Sequence, residues 1–270
     1  MDVLRPAAHA FDATATAFDR RFGAWESVAA QRRAVRSALL EQFPQGGRIL
    51  ELGGGTGEDA TFLAQHGFNV LLTDPSPNMV AIAGRKLLPL GCNAAVAGGE
   101  DLDTFADQYL ATAGRLFDGV FSNFAPLNCV ADLAVVARGL ARLLRPGSAA
   151  ILVLFGTFCP AEIMTETLRG RPRSALRRFH RREVSACLAG REFRIVYHRR
   201  AAVVRAFSPW FILERRIGVG VTVPPSAAEP WISRHPWLLR QMETLDRALA
   251  SPLASLGDHV LYQFRRTASP

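Results

Sequence analysis

The chain has 270 residues, an apolar fraction of 49% and a formal net charge of +8. That length admits one domain with an elaboration, and the apolar content excludes a disordered chain. The longest apolar run, Ala149 to Phe155, falls far short of the ~18 residues that a membrane span needs.

The opening Met1-Asp-Val-Leu-Arg-Pro6 lacks the charged-then-apolar order of a signal peptide, so a cytoplasmic location is expected. Residues 9 to 43 read as helical. Phe11, Phe18 and Phe22 recur at one- or two-turn spacing, and Trp25, Val28, Val35, Leu39 and Leu40 continue an apolar face. Asp12-Ala-Thr-Ala-Thr16 offers an N-cap for the second helical segment.

Arg48-Ile-Leu-Glu-Leu-Gly-Gly-Gly-Thr-Gly57 follows. An apolar run ends in an acidic residue and then in four glycines over five positions. The run reads as a buried parallel strand, and the glycines as a turn that lets backbone press against a ligand. A helix from about Glu58 completes a strand–turn–helix nucleotide site. A dinucleotide fingerprint starting at Gly53 would need glycine at position 58, where Glu58 stands. A phosphate-cradling loop would end Gly-Lys-Ser/Thr, whereas Gly57-Glu58-Asp59 brings two carboxylates that repel a pyrophosphate. The pattern therefore favours an S-adenosyl ligand over NAD or ATP.

The segment Glu51-Leu-Gly-Gly-Gly-Thr-Gly57 and the next strand, Asn69-Val-Leu-Leu-Thr-Asp74 with Pro-Ser-Pro-Asn-Met79, resemble the class I S-adenosylmethionine-dependent methyltransferases. Asp74 ends its strand roughly 20 positions after the first motif, where a carboxylate accepts ribose hydroxyls. Gly99-Glu-Asp-Leu102, Phe117-Asp-Gly-Val-Phe-Ser-Asn123 and Leu143-Leu-Arg-Pro-Gly through Phe155 extend the resemblance over residues 45 to 160. It implies an α/β fold: a Rossmann-like, seven-stranded, mostly parallel sheet with helices on both faces. An N-terminal helical lid and a cap insertion after strand 5 complete that expectation. The implied organisation is 1–44 as lid, 45–155 as cofactor-binding core, 156–200 as cap, and 201–270 as completion of the sheet with lid helices.

The resemblance also implies roles. S-adenosylmethionine would be the donor and S-adenosylhomocysteine the product. Glu51, Gly53, Gly55, Gly57, Asp74, Met79, Gly99, Glu100, Asp101 and Asn123 would meet the donor, Met79 on the adenine face and Glu100 or Asp101 at its exocyclic amine. Arg32 or Arg33 would meet the methionine carboxylate. Strand 4 ends Ser122-Asn-Phe-Ala-Pro126, not in the Asn/Asp-Pro-Pro-aromatic signature of enzymes that methylate nucleic-acid amino groups. Phe18, Phe22, Phe124, Phe155 and Phe158 are candidates for an apolar wall around a small acceptor, with core packing as the plain alternative.

Beyond strand 5, Arg171, Arg173, Arg177, Arg178, Arg181 and Arg182 crowd into Arg-Gly-Arg-Pro-Arg-Ser, a loop signal, and an arginine-rich helix expected after it. Such a run is ordinarily a solvated face. Its functional readings are an anionic substrate, a membrane surface or nucleic acid. Glu192 to His198 alternates, Ala201 to Trp210 reads as a helix, and Phe211 to Val219 reads as strand 6. The connection from Val221 to Leu256 reads as an ordered helical lid. The tail Gly257-Asp-His-Val-Leu-Tyr-Gln-Phe-Arg-Arg266 alternates like a last strand, antiparallel in the resembled fold, which brings Asp258 and His259 to the ligand edge. His259 is accordingly the candidate catalytic base. Cys92, Cys129, Cys159 and Cys187 lack zinc spacing, and no metal site is expected. The functional expectation is methyl transfer to a small organic acceptor at O, N or C. An RNA or protein methyltransferase docking through the cap, and a non-catalytic S-adenosyl-binding scaffold, are the alternatives.

Overall fold

A strand buried on both faces favours apolar side chains along most of its length, and the central strands are mostly apolar, with their polar residues gathered toward the ends. In the computed structural model, which describes residues 5–180 and 182–268, β1 (Arg48–Leu52), β2 (Asn69–Asp74), β3 (Asn93–Val96), β4 (Phe117–Ser122) and β5 (Leu144–Phe155) pair in parallel. The first four residues and Arg181, read above, lie outside that description. Successive side chains along each strand serve opposite faces. Leu50, Val120 and Ala150 join one core cluster, and their neighbours Ile49, Phe121 and Ile151 join the other.

Helices cover both faces. One cluster takes α6 (Leu102–Ala113), α7 (Leu133–Leu143) and α10 (Arg200–Phe207), through Leu102, Leu140 and Phe207. The other takes α3 (Glu26–Gln42), α4 (Glu58–Gln65) and α5 (Pro77–Leu87), through Leu39, Leu63 and Leu87. The seven strands run in the order β3-β2-β1-β4-β5-β9-β8, with β9 (His259–Arg266) antiparallel between β5 and β8 (Phe211–Val219). The expected Rossmann-like sheet is therefore present, with its last strand reversed. No described helix is long and apolar enough to cross a membrane.

Two local expectations differ from the structure. The N-terminal segment forms α1 (Pro6–Asp12), α2 (Ala15–Phe22) and α3, and Thr14 at the start of α2 makes no side-chain cap bond. Asp12 turns away to accept from the backbone N–H of Asn78 at the head of α5. The arginine-rich stretch is not one helix. Gly170, with φ +70°, and Pro172 make the expected break after α8 (Pro160–Leu168), but the arginines beyond it form only the four-residue α9 (Pro172–Ala175) and a single 3-10 turn, Arg177–Phe179. The alternating run then pairs as a hairpin, β6 (Val184–Leu188) with β7 (Arg191–Ile195). Its two-residue loop, Ala189-Gly190, has positive φ at both positions, the twist that a tight hairpin requires. The C-terminal connection carries α11 (Pro236–Leu249), which packs on α3 through Ala30, Val223, Ile232 and Leu239.

Close approach of α7 to α6 sets the loop that precedes α6. A Cβ on Gly139 would lie 2.5 Å from Leu102 Cβ and 3.1 Å from the Leu102 carbonyl carbon. Alanine would gain about 1 kcal/mol of helix propensity there, but overpacking against backbone costs about 1–3 kcal/mol. Gly139→Ala should therefore lower the urea midpoint without changing the slope of the transition.

Candidate active site

The glycine turn is held by the strand beside it. The N–H groups of Gly53 and Gly54 donate to the Thr73 carbonyl at 2.8 and 3.1 Å, which folds the end of β1 over β2. Gly53 has φ +64°, and a Cβ there would stand 2.3 Å from Pro126 Cβ, so only glycine fits. At Gly55 (φ +56°) a Cβ would meet nothing within 4 Å, so the turn opens on that side. Gly57, at φ +83°, starts α4. Asp74 closes the unit: one carboxylate oxygen accepts from Gly55 N–H and the other from Ser76 N–H, both at 2.9 Å. Ser76 caps α5 by accepting from Met79 N–H, and Met79 itself is buried.

Carboxylates dominate the electrostatics here. Glu51 is buried and its Oε2 has no hydrogen-bond partner. Burial, with Asp59 and Asp74 adding to it, pushes the Glu51 carboxyl well above its usual range, while Arg32 pulls it down. Burial pushes Asp74 up to about 6 against the two N–H donors that hold it down. Asp59 is paired with Arg32 at 2.8 Å and Arg36 at 2.7 Å, and it also accepts from the Asn123 side-chain amide at 2.8 Å. Of the two arginines expected near the methionine end, Arg32 belongs to this network. Arg33 points to Glu243 on α11 at 2.6 Å.

The N-terminal helices fasten onto the same segments. Asp12 accepts from the Ser76 hydroxyl and from Asn78. Asp19 accepts from the Thr56 hydroxyl at 2.5 Å and pairs with Lys86. Arg5 grips both oxygens of Asp101 at 2.6 Å and holds that carboxyl below its usual range. Glu100 lies 3.9 Å from the same guanidinium. Gly99 packs tightly: a Cβ there would lie 3.0 Å from Val130. Open surface hollows lie elsewhere, one of about 570 Å³ beside Arg200 and Val204 and one of about 500 Å³ beside Glu41 and Arg145.

At the end of β5, the reversed β9 sets His259 opposite Phe155. The imidazole stacks on Phe155 with centroids 4.9 Å apart and meets the edge of Phe124 at 5.7 Å. Phe124, at φ 57°, follows the end of β4, so three strand ends converge. The Arg32 guanidinium lies 4.7 Å over the Phe124 ring. Phe18 and Phe22 instead form a row along the lid, with Phe11 next to Phe18 and Trp25 next to Phe22, and Phe11 reaches Phe193 of the hairpin. Phe158 contacts Phe179 of the cap and is 40% exposed.

Behind His259 lies a charge cluster that residue types alone could not reveal. Asp258 Oδ2 is 3.4 Å from His259 Nδ1, a nitrogen without a hydrogen-bond partner. Arg178 binds Asp258 at 2.5 Å, pairs with Glu162, and donates to the carbonyls of Gly156 and Asp258. Gln31 of α3 donates to Asp258 at 3.3 Å. Burial would raise Asp258, but His259 first and then Arg178 outweigh burial and hold it below the usual carboxylate range. Burial pushes His259 below the usual imidazole range; Asp258 draws it up and Arg178 pushes it down. Burial thus favours the uncharged imidazole, and Asp258 favours the charged one.

Cys159, Glu162 and Asp258 place ligand atoms within 4.8 Å of one another, the one grouping of metal-like spacing among the described residues. The Arg178 guanidinium already pairs with both carboxylates. Burial pushes the Cys159 thiol up to about 11, so it stays protonated. The cluster is an internal ion pair.

A family model described as a methyltransferase domain matches residues 24–198. The chain belongs to that family. It is a class I S-adenosylmethionine-dependent methyltransferase, with S-adenosylmethionine as donor. No curated protein matches the sequence. Solved methyltransferases share the fold. An S-adenosylmethionine-dependent methyltransferase from Mesorhizobium loti is 20% identical with a TM-score of 0.55, over 88% of this chain and 98% of that one. A TehB-like enzyme from Corynebacterium glutamicum is 13% identical with a TM-score of 0.55, over 94% and 99%. Geranyl diphosphate C-methyltransferase from Streptomyces coelicolor, in complex with magnesium, geranyl diphosphate and S-adenosylhomocysteine, is 14% identical with a TM-score of 0.51, over 87% and 79%.

The methyltransferase depends on Arg178 for its charge balance. Removing it would leave Asp258 and Glu162 buried without their common partner, a change that costs about 3–5 kcal/mol. Arg178→Met should lower the thermal midpoint by many degrees, whereas exposed Arg173→Met should leave it unchanged.

Proposed function

We propose that this methyltransferase transfers the methyl of S-adenosylmethionine to a small organic acceptor with an apolar or aromatic body, at O, N or C, and that His259 takes up the acceptor's proton. The observation that carries this reading is the buried His259, held between Phe155 and Phe124 at the edge where the strands end, with Asp258 beside an Nδ1 that makes no hydrogen bond. Buried polar atoms are rarely left unsatisfied without a functional reason.

The residues fit the donor. Glu51 keeps a buried oxygen without a partner, a site for an ammonium hydrogen. Asp74 would accept the ribose hydroxyls, and Gly53, Gly55 and Gly57 would offer close backbone. Met79 would pack on adenine, with Gly99 and Glu100 at its edge, since Asp101 is taken by Arg5. Asn123 would fix Asp59 and the end of β4. The bound donor supplies an already activated methyl group, so the protein's task is alignment, which can lower the barrier by ~7–11 kcal/mol. On taking a proton, the His259 imidazolium would be stabilised by Asp258.

In this reading residues 1–44 serve as lid, 45–155 bind the donor, 156–200 cap the acceptor, and 201–270 complete the sheet. Phe124 and Phe155 would form the acceptor wall, with Phe18, Phe22 and Phe158 contributing from lid and cap. The four unpaired cysteines suit the cytoplasm. RNA docking through the cap draws less support: Arg178 is buried, and Arg177 and Arg169 are paired with Glu162 and Glu166.

Calorimetry with S-adenosylhomocysteine tests the donor site. Asp74→Ala should abolish measurable binding. With its carboxyl at about 6, Asp74 gains a proton as pH falls through 6 and loses an acceptor site. Affinity at pH 5 should be roughly tenfold weaker than at pH 7.5 and flat above pH 7. A methyl-labelled donor assayed against a panel of phenols, amines and carboxylic acids tests the acceptor class, and no transfer to any of them would count against it. With the acceptor found, His259→Gln should slow transfer by about 10²–10⁴-fold with donor affinity unchanged. The acid limb of the wild-type rate profile should lie below the ordinary histidine range.

A further inference from the structure

Helix α8 carries its polarity the wrong way round for a helix facing only water. Glu162 and Glu166 are its buried residues, turned inward to Arg178 and Arg169, while Met164 is 61% and Leu168 82% exposed. These two lie one turn apart and share a face. Leu176 and Phe179, on the turns that follow, are 53% and 48% exposed. Arg169, Arg171, Arg173 and Arg177 are interleaved among them and exposed, and among the described residues Arg171 and Arg173 have no acidic partner. Contiguous exposed apolar side chains rimmed by one sign of charge mark an interaction surface. The cap is also tied to the reaction side of the molecule, through Phe158 on Phe179 and through Arg178 on Asp258.

We propose that this outer face of the cap docks on an anionic lipid surface. Met164, Leu168, Leu176 and Phe179 enter the acyl boundary, and Arg171 and Arg173, which have no acidic partner among the described residues, meet the lipid phosphates. Charge complementarity selects an acidic partner. The side-chain types then select lipid over nucleic acid: three of the four protruding residues have no flat ring on which a base could stack, and a stacking surface requires rings. Docking in this orientation sets the acceptor end of the molecule at the interface where apolar compounds concentrate. The docking itself does not depend on the identity of the acceptor.

The test is co-sedimentation of the full chain with vesicles of phosphatidylcholine alone or with added phosphatidylglycerol. Binding to the anionic vesicles, little to the neutral ones, and loss of binding between about 0.1 and 0.5 M salt are expected. The double substitution Met164→Glu and Leu168→Glu should reduce the bound fraction by roughly tenfold or more. Its thermal midpoint and S-adenosylhomocysteine affinity should match the wild type, because both side chains are exposed; Leu168→Ser provides a milder version. Failure to bind anionic vesicles, or equal binding by the double variant, overturns the proposal. So does binding of bulk tRNA or of an acidic carrier protein by the cap when vesicles are not bound. Loss of S-adenosylhomocysteine affinity in the wild type would count against the donor reading and leaves the vesicle result standing on its own.

Discussion

The reversal of β9 is the constraint from which the reactive half of the molecule follows. A strand that enters between β5 and β8 in the antiparallel sense must begin where the parallel strands end. Its first residues, Asp258 and His259, are thereby delivered to the edge that holds the glycine turn and the end of β4. A carboxylate brought in so deeply cannot remain unpaired, since an isolated buried charge is far too costly. Arg178 answers that demand, and Arg178 belongs to the cap. One strand's direction therefore accounts for the histidine, its carboxylate neighbour and the attachment of residues 156–200 to the sheet.

The donor half rests on a different principle. There the backbone carries the work: Gly53 and Gly54 bond to β2, Asp74 bonds back to Gly55, and no large side chain intervenes. The result is a turn whose shape is overdetermined, flanked by the carboxyl groups of Glu51, Asp59 and Asp74. Arg32 and Arg36 both pair with Asp59, so Glu51 and Asp74 keep their charge demand largely for a ligand. Such a site suits a cation without phosphates and disfavours a dinucleotide.

Much of this could be read from the chain, because the signals were local. Four glycines after an apolar run, an aspartate at the end of the next strand, and an alternating tail each report backbone geometry within a few residues. Phe124, Phe155 and His259 were legible as strand ends, and their convergence follows from topology. The lid contacts were not. Asp12-Ala-Thr-Ala-Thr16 reads as a cap for the second helical segment, yet Asp12 serves Ser76 and Asn78, more than sixty positions away. Arg178 sat in a run of look-alikes, and only tertiary burial separates it from Arg177. The Gly170 and Pro172 loop is legible, but the arginines after it read as a helix, because residue charge says nothing of how tertiary contacts divide the run into α9 and a 3-10 turn.

Asp12 and Asp19 fasten the N-terminal helices by binding Ser76 and Thr56, hydroxyls that belong to the cap of α5 and to the glycine turn. The first helices therefore brace a turn to which they contribute none of the motif residues. Coupling of this kind is reciprocal. A shorter chain starting near Trp25 would keep every strand and every glycine, and yet would hold its donor in a turn with two fewer props. Boundaries drawn around motifs alone would miss that, because the strength of this site is partly stored outside the segment that defines it.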